Sequence, residues 1–280
     1  MTDAETLSAP DLRDPDAEPP VVYSGPENLF RLRDITVGDR AASSSMDLGQ
    51  WASSEGRPIG AGAIGVLIDN ATGYALVTAR QPGSWTISTE ISIDAFPELL
   101  TATSLTARST VDHADTLGGF ATARVHDERG RLVAIGTQRC RWVPFARTDM
   151  SGSGEPASTG RASGDLPAML GATLRTDGSD VVLSLTSRHE LENPSNIMHG
   201  GVSIAAADVV ATTALAVEGM PPLATSSLRV GYTRAVMDGD LVEYRAVTRH
   251  RGRGLGIVEV TASVGGKTTA IVHIVANPVG

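Results

Sequence analysis

The sequence predicts an α+β protein built from two tandem units, each an antiparallel sheet wrapped around a central helix. Three observations lead there. A Ser- and Gly-rich stretch, RTDMSGSGEPASTGRASGD, has almost nothing to bury and reads as a flexible linker (147–165) between residues 23–146 and 166–280. The two flanking halves run through the same order of elements, which implies an internal duplication. Each half holds a helix rich in Ala, Val, Ile and Gly that is apolar almost all round, the mark of a buried helix that a sheet must enclose.

The first unit opens with a polar loop and the helix pattern PIGAGAIGVLIDNATGYALVT (58–78), which holds a single acid, Asp69. A Pro turn, QPGS, leads to WTISTEISID (85–94), whose alternation has the period of a half-buried strand. Further strands are expected at LTARSTVDHA (105–114), GGFATARVHD (118–127) and, past the turn DERG, RLVAIGTQRCRWV (131–143). The second unit repeats the series. Its helix is MHGGVSIAAADVVATTALAV (198–217), with the single acid Asp208, followed by the turn MPPL and the strand ATSSLRVGY (224–232). LVEYRAVTRH (241–250), GIVEVTASV (256–264) and TTAIVHIVA (268–276) complete it.

Composition narrows the function. The formal net charge is −9, with an acidic opening stretch (1–22) that reads as a disordered tail, so neither a basic face nor a helix-turn-helix for nucleic acid is expected. No apolar run is long enough to span a membrane and no leader pattern is present, so a cytoplasmic location is expected. Cys140 is the single cysteine, which excludes intrachain disulfides and cysteine-rich zinc sites; no metal is expected. There is no G-x-S-x-G elbow, no P-loop, and HELEN lacks the second His of a zinc-protease helix.

The stretch ENPSNIMHGGVSIAAAD (192–208) carries the chemistry. At a helix N-terminus the first backbone N–H groups lack intrahelical partners and the dipole favours negative charge. Gly200 and Gly201 leave that tip open to a ligand, so the Gly200 N–H can stabilise the oxyanion of an attacked carbonyl, a donor worth on the order of 3 kcal/mol in a transition state. His199 can support the turn through its ring, and Asn193 offers a donor and an acceptor. Asp208 lies eight residues beyond Gly200, about 12 Å along the axis at 1.5 Å per residue, too far to share one substrate carbon. A site at Gly200 therefore needs a carboxylate from a second helix.

Asn193, five intervening residues, His199-Gly200-Gly201, a short apolar stretch and Asp208 make a pattern that resembles the hotdog-fold acyl-CoA thioesterases of the phenylacetate-degradation type. The following strand, TSSLRVGYTRA, agrees: Thr225 takes the hydroxyl position and Ala235 replaces the usual proline of an aromatic-x-Arg-Pro ending. Asn196 stands where a glycine is common. The resemblance implies two tandem hotdog domains forming an intrachain pseudo-dimer, with each site built between them. In the first half Asp69 has the matching place, while Gly60, Ala61 and Ser54 replace the His, the first Gly and the Asn. One composite site then joins Asn193, His199 and Gly200 to Asp69 and Ser88. The other joins Asp208 and Thr225 to the degenerate Gly60 and Ala61 loop and is expected to be vestigial or altered.

These residues predict hydrolysis of acyl-CoA thioesters, with Asp69 as nucleophile or base for water and no cofactor beyond the CoA of the substrate. Gly201 and the basic run RHRGRG (249–254), through Arg251 and Arg253, are expected to bind substrate. Two alternatives remain: a non-catalytic acyl-CoA-binding protein, and an R-specific enoyl-CoA hydratase, against which the wide Pro-to-His spacing of ENPSNIMH speaks. Outer sheet edges would allow pairing into a homo-oligomer of double units.

Overall fold

The computed structural model describes residues 21–52, 60–144, 164–177 and 180–279. Apart from residues 21–22 and 164–165, the stretches read as tail and linker lie outside the described residues, as does Ser54. The first half comprises α1 (Gly25–Leu29), β1 (Leu32–Gly38), β2 (Ala41–Asp47), α2 (Gly65–Thr78), β3 (Ser84–Ala95), β4 (Ser104–Ala114), β5 (Gly118–Asp127) and β6 (Leu132–Pro144). The second comprises α3 (Leu166–Leu170), β7 (Thr173–Asp177), β8 (Asp180–Thr186), α4 (Gly200–Leu215), β9 (Leu223–Tyr232), β10 (Leu241–Arg251), β11 (Gly256–Val264) and β12 (Lys267–Pro278).

The strands form one antiparallel sheet in the order β1-β2-β4-β5-β6-β3-β9-β12-β11-β10-β8-β7. Matching β7 to β1, β8 to β2 and so on, this order reads the same from either end, which is the signature of the duplication. The halves join where β3 pairs with β9, from Glu90 opposite Gly231 to Asp94 opposite Ser227. Helix α2 packs against β1–β6 and α4 against β8–β12. Both helices are buried on nearly every face, Val66, Leu67 and Ile68 in one and Ile204, Ala205 and Ala206 in the other being fully covered.

Each half opens with a short helix and a strand hairpin before its central helix, which corrects the expectation of a polar loop alone. The reason lies in the side chains. β2 is AASSSMD, and its inward Ser44 is buried by donating to Asn70 Oδ1 of α2 at 2.5 Å, so the strand shows no apolar alternation. In β8 three successive residues, Val181, Val182 and Leu183, are buried, a run whose period does not distinguish strand from helix.

The two central helices touch backbone to backbone near their N-termini. A Cβ on Gly201 would fall 2.4 Å from Val66 Cα, and one on Gly65 would fall 2.7 Å from Ile204 Cγ2. Only glycine permits this approach, and the approach brings each helix tip beside the other helix's acid.

Candidate active site

Asp69, on the second turn of α2, lies at the tip of α4. Its Oδ2 accepts the Gly201 N–H at 2.9 Å and stands 3.0 Å from His199 Nδ1. Its Oδ1 accepts Gln138 Nε2 at 3.1 Å and Ser88 Oγ at 3.4 Å. The Gly201 N–H also points at His199 Nδ1, at 3.1 Å. With a carboxylate oxygen 3.0 Å away, however, the proton belongs on Nδ1, and the amide serves Asp69. Burial alone would push the Asp69 carboxyl up; the charge and hydrogen bond of His199, the Gly201 amide and Ser88 outweigh it and hold Asp69 below its usual range. Burial likewise lowers His199, but Asp69 and then Glu27 carry it above the ordinary imidazole value. Each group thus favours the charged form of the other.

His199 is the N-cap of α4, its backbone N–H held by Leu191 O at 2.9 Å. Asn193 shapes the loop before it, Oδ1 accepting the Ser195 N–H at 2.9 Å, an Asx turn. Asn196 adopts the left-handed conformation (φ 57°), which Asn tolerates better than other residues with a side chain. Tyr232, at the end of β9, donates to Gly200 O at 2.8 Å and fixes the first residue of the helix. The Gly200 N–H has no protein acceptor among the described residues.

Asp69, Ser88, Gln138, Asn193, His199 and Gly200 all line a cavity of about 460 Å³. Val77, Trp85, Ile87 and Val143 of the first half wall it on one side, and Arg234 and Ala235 of the second line it as well. Gly73, beside that apolar wall, has open space where a Cβ would stand.

The second grouping is assembled too, and none of its residues lines that cavity. Asp208 Oδ2 accepts the Gly62 N–H at 3.2 Å, mirroring the Gly201–Asp69 bond, and Oδ1 accepts the Thr225 hydroxyl. The loop Gly60-Ala61-Gly62 packs onto the carboxylate: a Cβ on Gly60 would fall 2.5 Å from Asp208 Oδ2, and one on Gly62 2.1 Å from Asp208 Cβ. A histidine has no room there. Desolvation raises Asp208 to about 6 despite the two hydrogen bonds, which lower it.

Three expected substrate contacts fall elsewhere. Gly201 is enclosed at the helix crossing and its N–H is spent on Asp69. Arg251 donates Nε to Leu215 O at 2.7 Å and Nη2 to Pro221 O at 2.6 Å, clasping the far end of α4. Arg253 is exposed on the same hairpin, and neither arginine lines the cavity. The arginine that does is Arg234, exposed where the strand ending Tyr-Thr-Arg leaves β9; that ending was the signal for it. Gln138 and Glu27 were not singled out from sequence. Gln138 gave no signal, because it sits in an ordinary alternating strand.

Among the described residues no helix is long and apolar enough to cross a membrane. Residues 195–271 match the family model of the thioesterase superfamily, and residues 6–141 match that of the acyl-CoA thioesterase C-terminal domain, which begins within the stretch read as tail. No curated protein matches the chain in sequence. Solved structures share its fold over nearly its whole length. The tesB protein of Mycobacterium avium subsp. paratuberculosis superposes with a TM-score of 0.59 at 11% identity, over 90% of this chain and 96% of that one. The 12:0-ACP thioesterase of Umbellularia californica gives 0.58 at 10% identity, over 85% and 94%. An acyl-ACP thioesterase of Bacteroides thetaiotaomicron gives 0.54 at 11% identity, over 85% and 98%. Thioesterase models match a part of each half and one sheet runs through both, so the chain has the tandem double-hotdog fold of thioesterases and is an enzyme that hydrolyses acyl thioesters.

Proposed function

We propose that the chain hydrolyses acyl-CoA thioesters at the composite site formed by Asp69, Ser88 and Gln138 of one half with Asn193, His199 and Gly200 of the other. The carrying observation is the Gly200 N–H at the tip of α4, which has no protein acceptor among the described residues, in a cavity wall that also holds the Asp69 carboxylate. A thioester carbonyl directed at that amide places its developing negative charge where the helix dipole and the N–H stabilise it. Asp69, kept ionised by His199, either removes a proton from a water that adds to the carbonyl carbon, or attacks that carbon itself to give a mixed anhydride that water then hydrolyses; on either route the C–S bond breaks, the leaving thiolate takes up the proton that water supplies, and the free acid is released. Gln138 and Ser88 hold Asp69 Oδ1, which fixes the carboxylate relative to Gly200. The apolar wall of Val77, Trp85, Ile87 and Val143 suits the acyl group, and Arg234 suits the phosphates of CoA.

The test is release of free thiol from a panel of acyl-CoAs, short, long and aromatic, with acyl carrier protein thioesters alongside. Turnover of the CoA esters is expected. A folded chain that binds acyl-CoA but releases no thiol would support the binding reading instead. Hydration of crotonyl-CoA without hydrolysis would support the hydratase.

A further inference from the structure

Glu27 belongs to α1, outside every motif that marks the site, yet its side chain lines the same cavity and is only 3% exposed. Its Oε1 stands 3.8 Å from His199 Nε2, beyond hydrogen-bond range but within reach of a direct charge interaction. Glu27, His199 and Asp69 thus form a continuous line, with one carboxylate facing each ring nitrogen.

The approach is built. Gly25 lies so close to the loop before α4 that a Cβ there would fall 2.4 Å from His189 O and Glu190 Cα. Ser24 Oγ also lies 3.3 Å from Glu192 O, which sets α1 against the second half. Glu27 Oε2 accepts the Ser24 N–H at 3.0 Å and the Ser24 hydroxyl, a capping box. Its Oε1 accepts Asn70 Nδ2 at 3.1 Å, and Asn70 is itself held by Ser44 at 2.5 Å. A capping box needs only the two reciprocal side-chain-to-backbone bonds. It does not require a carboxylate buried against an imidazole, where an unpaired charge is costly.

We propose that Glu27 is a positioning residue of the thioesterase site, its carboxylate fixing the His199 ring so that Nδ1–H meets Asp69 and the Gly200 amide stays free for the thioester oxygen. The proposal rests on the hydrolase reading above. The charged groups acting on the ring are Asp69 from α2 and Glu27 from α1. Tyr232 from β9 and Tyr244 from β10 flank the helix start and stay neutral, burial pushing both phenols up. Glu27 acts through His199 and touches no reacting atom, so it should govern the rate and not the binding of the acyl group.

Glu27→Gln keeps the shape and acceptor of the cap, and it is compared with wild type in the full chain. Imidazole NMR, assigned with a His199→Gln sample, reads the His199 titration midpoint; thiol release reads kcat and KM across pH. In a Glu27→Gln protein that melts like wild type, the His199 midpoint should fall by roughly one unit and kcat by about tenfold, with KM for acyl-CoA unchanged. Glu27→Asp should recover part of the loss. An unchanged midpoint overturns the proposal, as does a lowered midpoint with unchanged kcat. A wild-type chain without thiol release would remove the hydrolase reading and with it any role of Glu27 in that reaction, while the midpoint would still report whether the Glu27–His199 pair exists.

Discussion

Asp69 of the first half and His199 of the second face each other at 3.0 Å, and the same Asp69 oxygen takes the Gly201 amide at 2.9 Å. No such link can form within one half, because helix α4 carries its own acid, Asp208, to the opposite loop, where it takes the Gly62 amide at 3.2 Å. Each helix thus supplies a tip to one grouping and an acid to the other, and only one of the two retains the histidine.

That asymmetry predicts unequal mutants. Asp69→Asn should lower kcat at least about a hundredfold, the usual scale for loss of a positioned acid–base group or nucleophile. Asp208→Asn should keep turnover within a few-fold. Thiol-release kinetics on both variants decide this; the reverse ranking would overturn the assignment of the working site.

Asp208 also predicts a pH effect on stability. Its folded midpoint is raised from 3.8 to about 6 by desolvation, so the contribution of its carboxyl is fully present below 3.8 and is lost as pH rises through 6. About two units at about 1.4 kcal/mol each give a penalty of up to roughly 3 kcal/mol above pH 6. Asp208→Asn should therefore raise Tm relative to wild type at pH 8 and give no gain below pH 4. Melting curves at the two pH values test it, and an equal effect at both would contradict it.

For Asp69 and His199 the signs differ. The raised His199 stabilises fully below 6.5 and loses this as pH rises through its folded midpoint; the lowered Asp69 stabilises above 3.8 and loses this as pH falls. The pair therefore supports the fold best between those values. His199→Gln should flatten the alkaline fall in Tm. A variant with the same alkaline fall as wild type would show that the pair is not the ion pair described.

The two neighbouring glycines separate activity from stability. In Gly201→Ala the new methyl meets the Val66 backbone at 2.4 Å, so a loss of about 1–3 kcal/mol is expected, as for overpacked cores. In Gly200→Ala it meets Asp69 Oδ2 at 2.7 Å and Tyr232 Oη at 2.9 Å, side chains that can shift. Turnover should fall there with a smaller change in Tm. Thermal melts and initial rates on both distinguish the roles.

The arginines divide similarly. Arg234→Ala should raise KM for acyl-CoA more than for a short thioester lacking the nucleotide. Arg251→Ala, which frees the Leu215 and Pro221 carbonyls, should lower Tm and leave both KM values alone. A KM effect confined to Arg251 would restore the basic hairpin as the CoA contact.

The duplication, both buried helices, the four strands after each, and the residues at the tip of α4 were legible in the amino-acid pattern. These are local features: alternation marks a half-exposed strand, an all-apolar pattern marks a buried helix, and a His-Gly-Gly turn marks an open helix start. The same pattern also required a carboxylate from the other half, since helix rise alone separates Gly200 from Asp208. Long-range packing settled the rest. Ser44 and Asn70 satisfy each other inside the fold, so β2 hid behind polar residues. Gln138 and Glu27 reach the cavity because strand pairing and the packing of α1 carry them to Asp69 and His199. Arg251 turned from the cavity to the end of α4 because the carbonyls of Leu215 and Pro221 lay within its reach. Such choices depend on which polar group finds a partner once the sheet has closed around its helices, and no spacing along the chain encodes that.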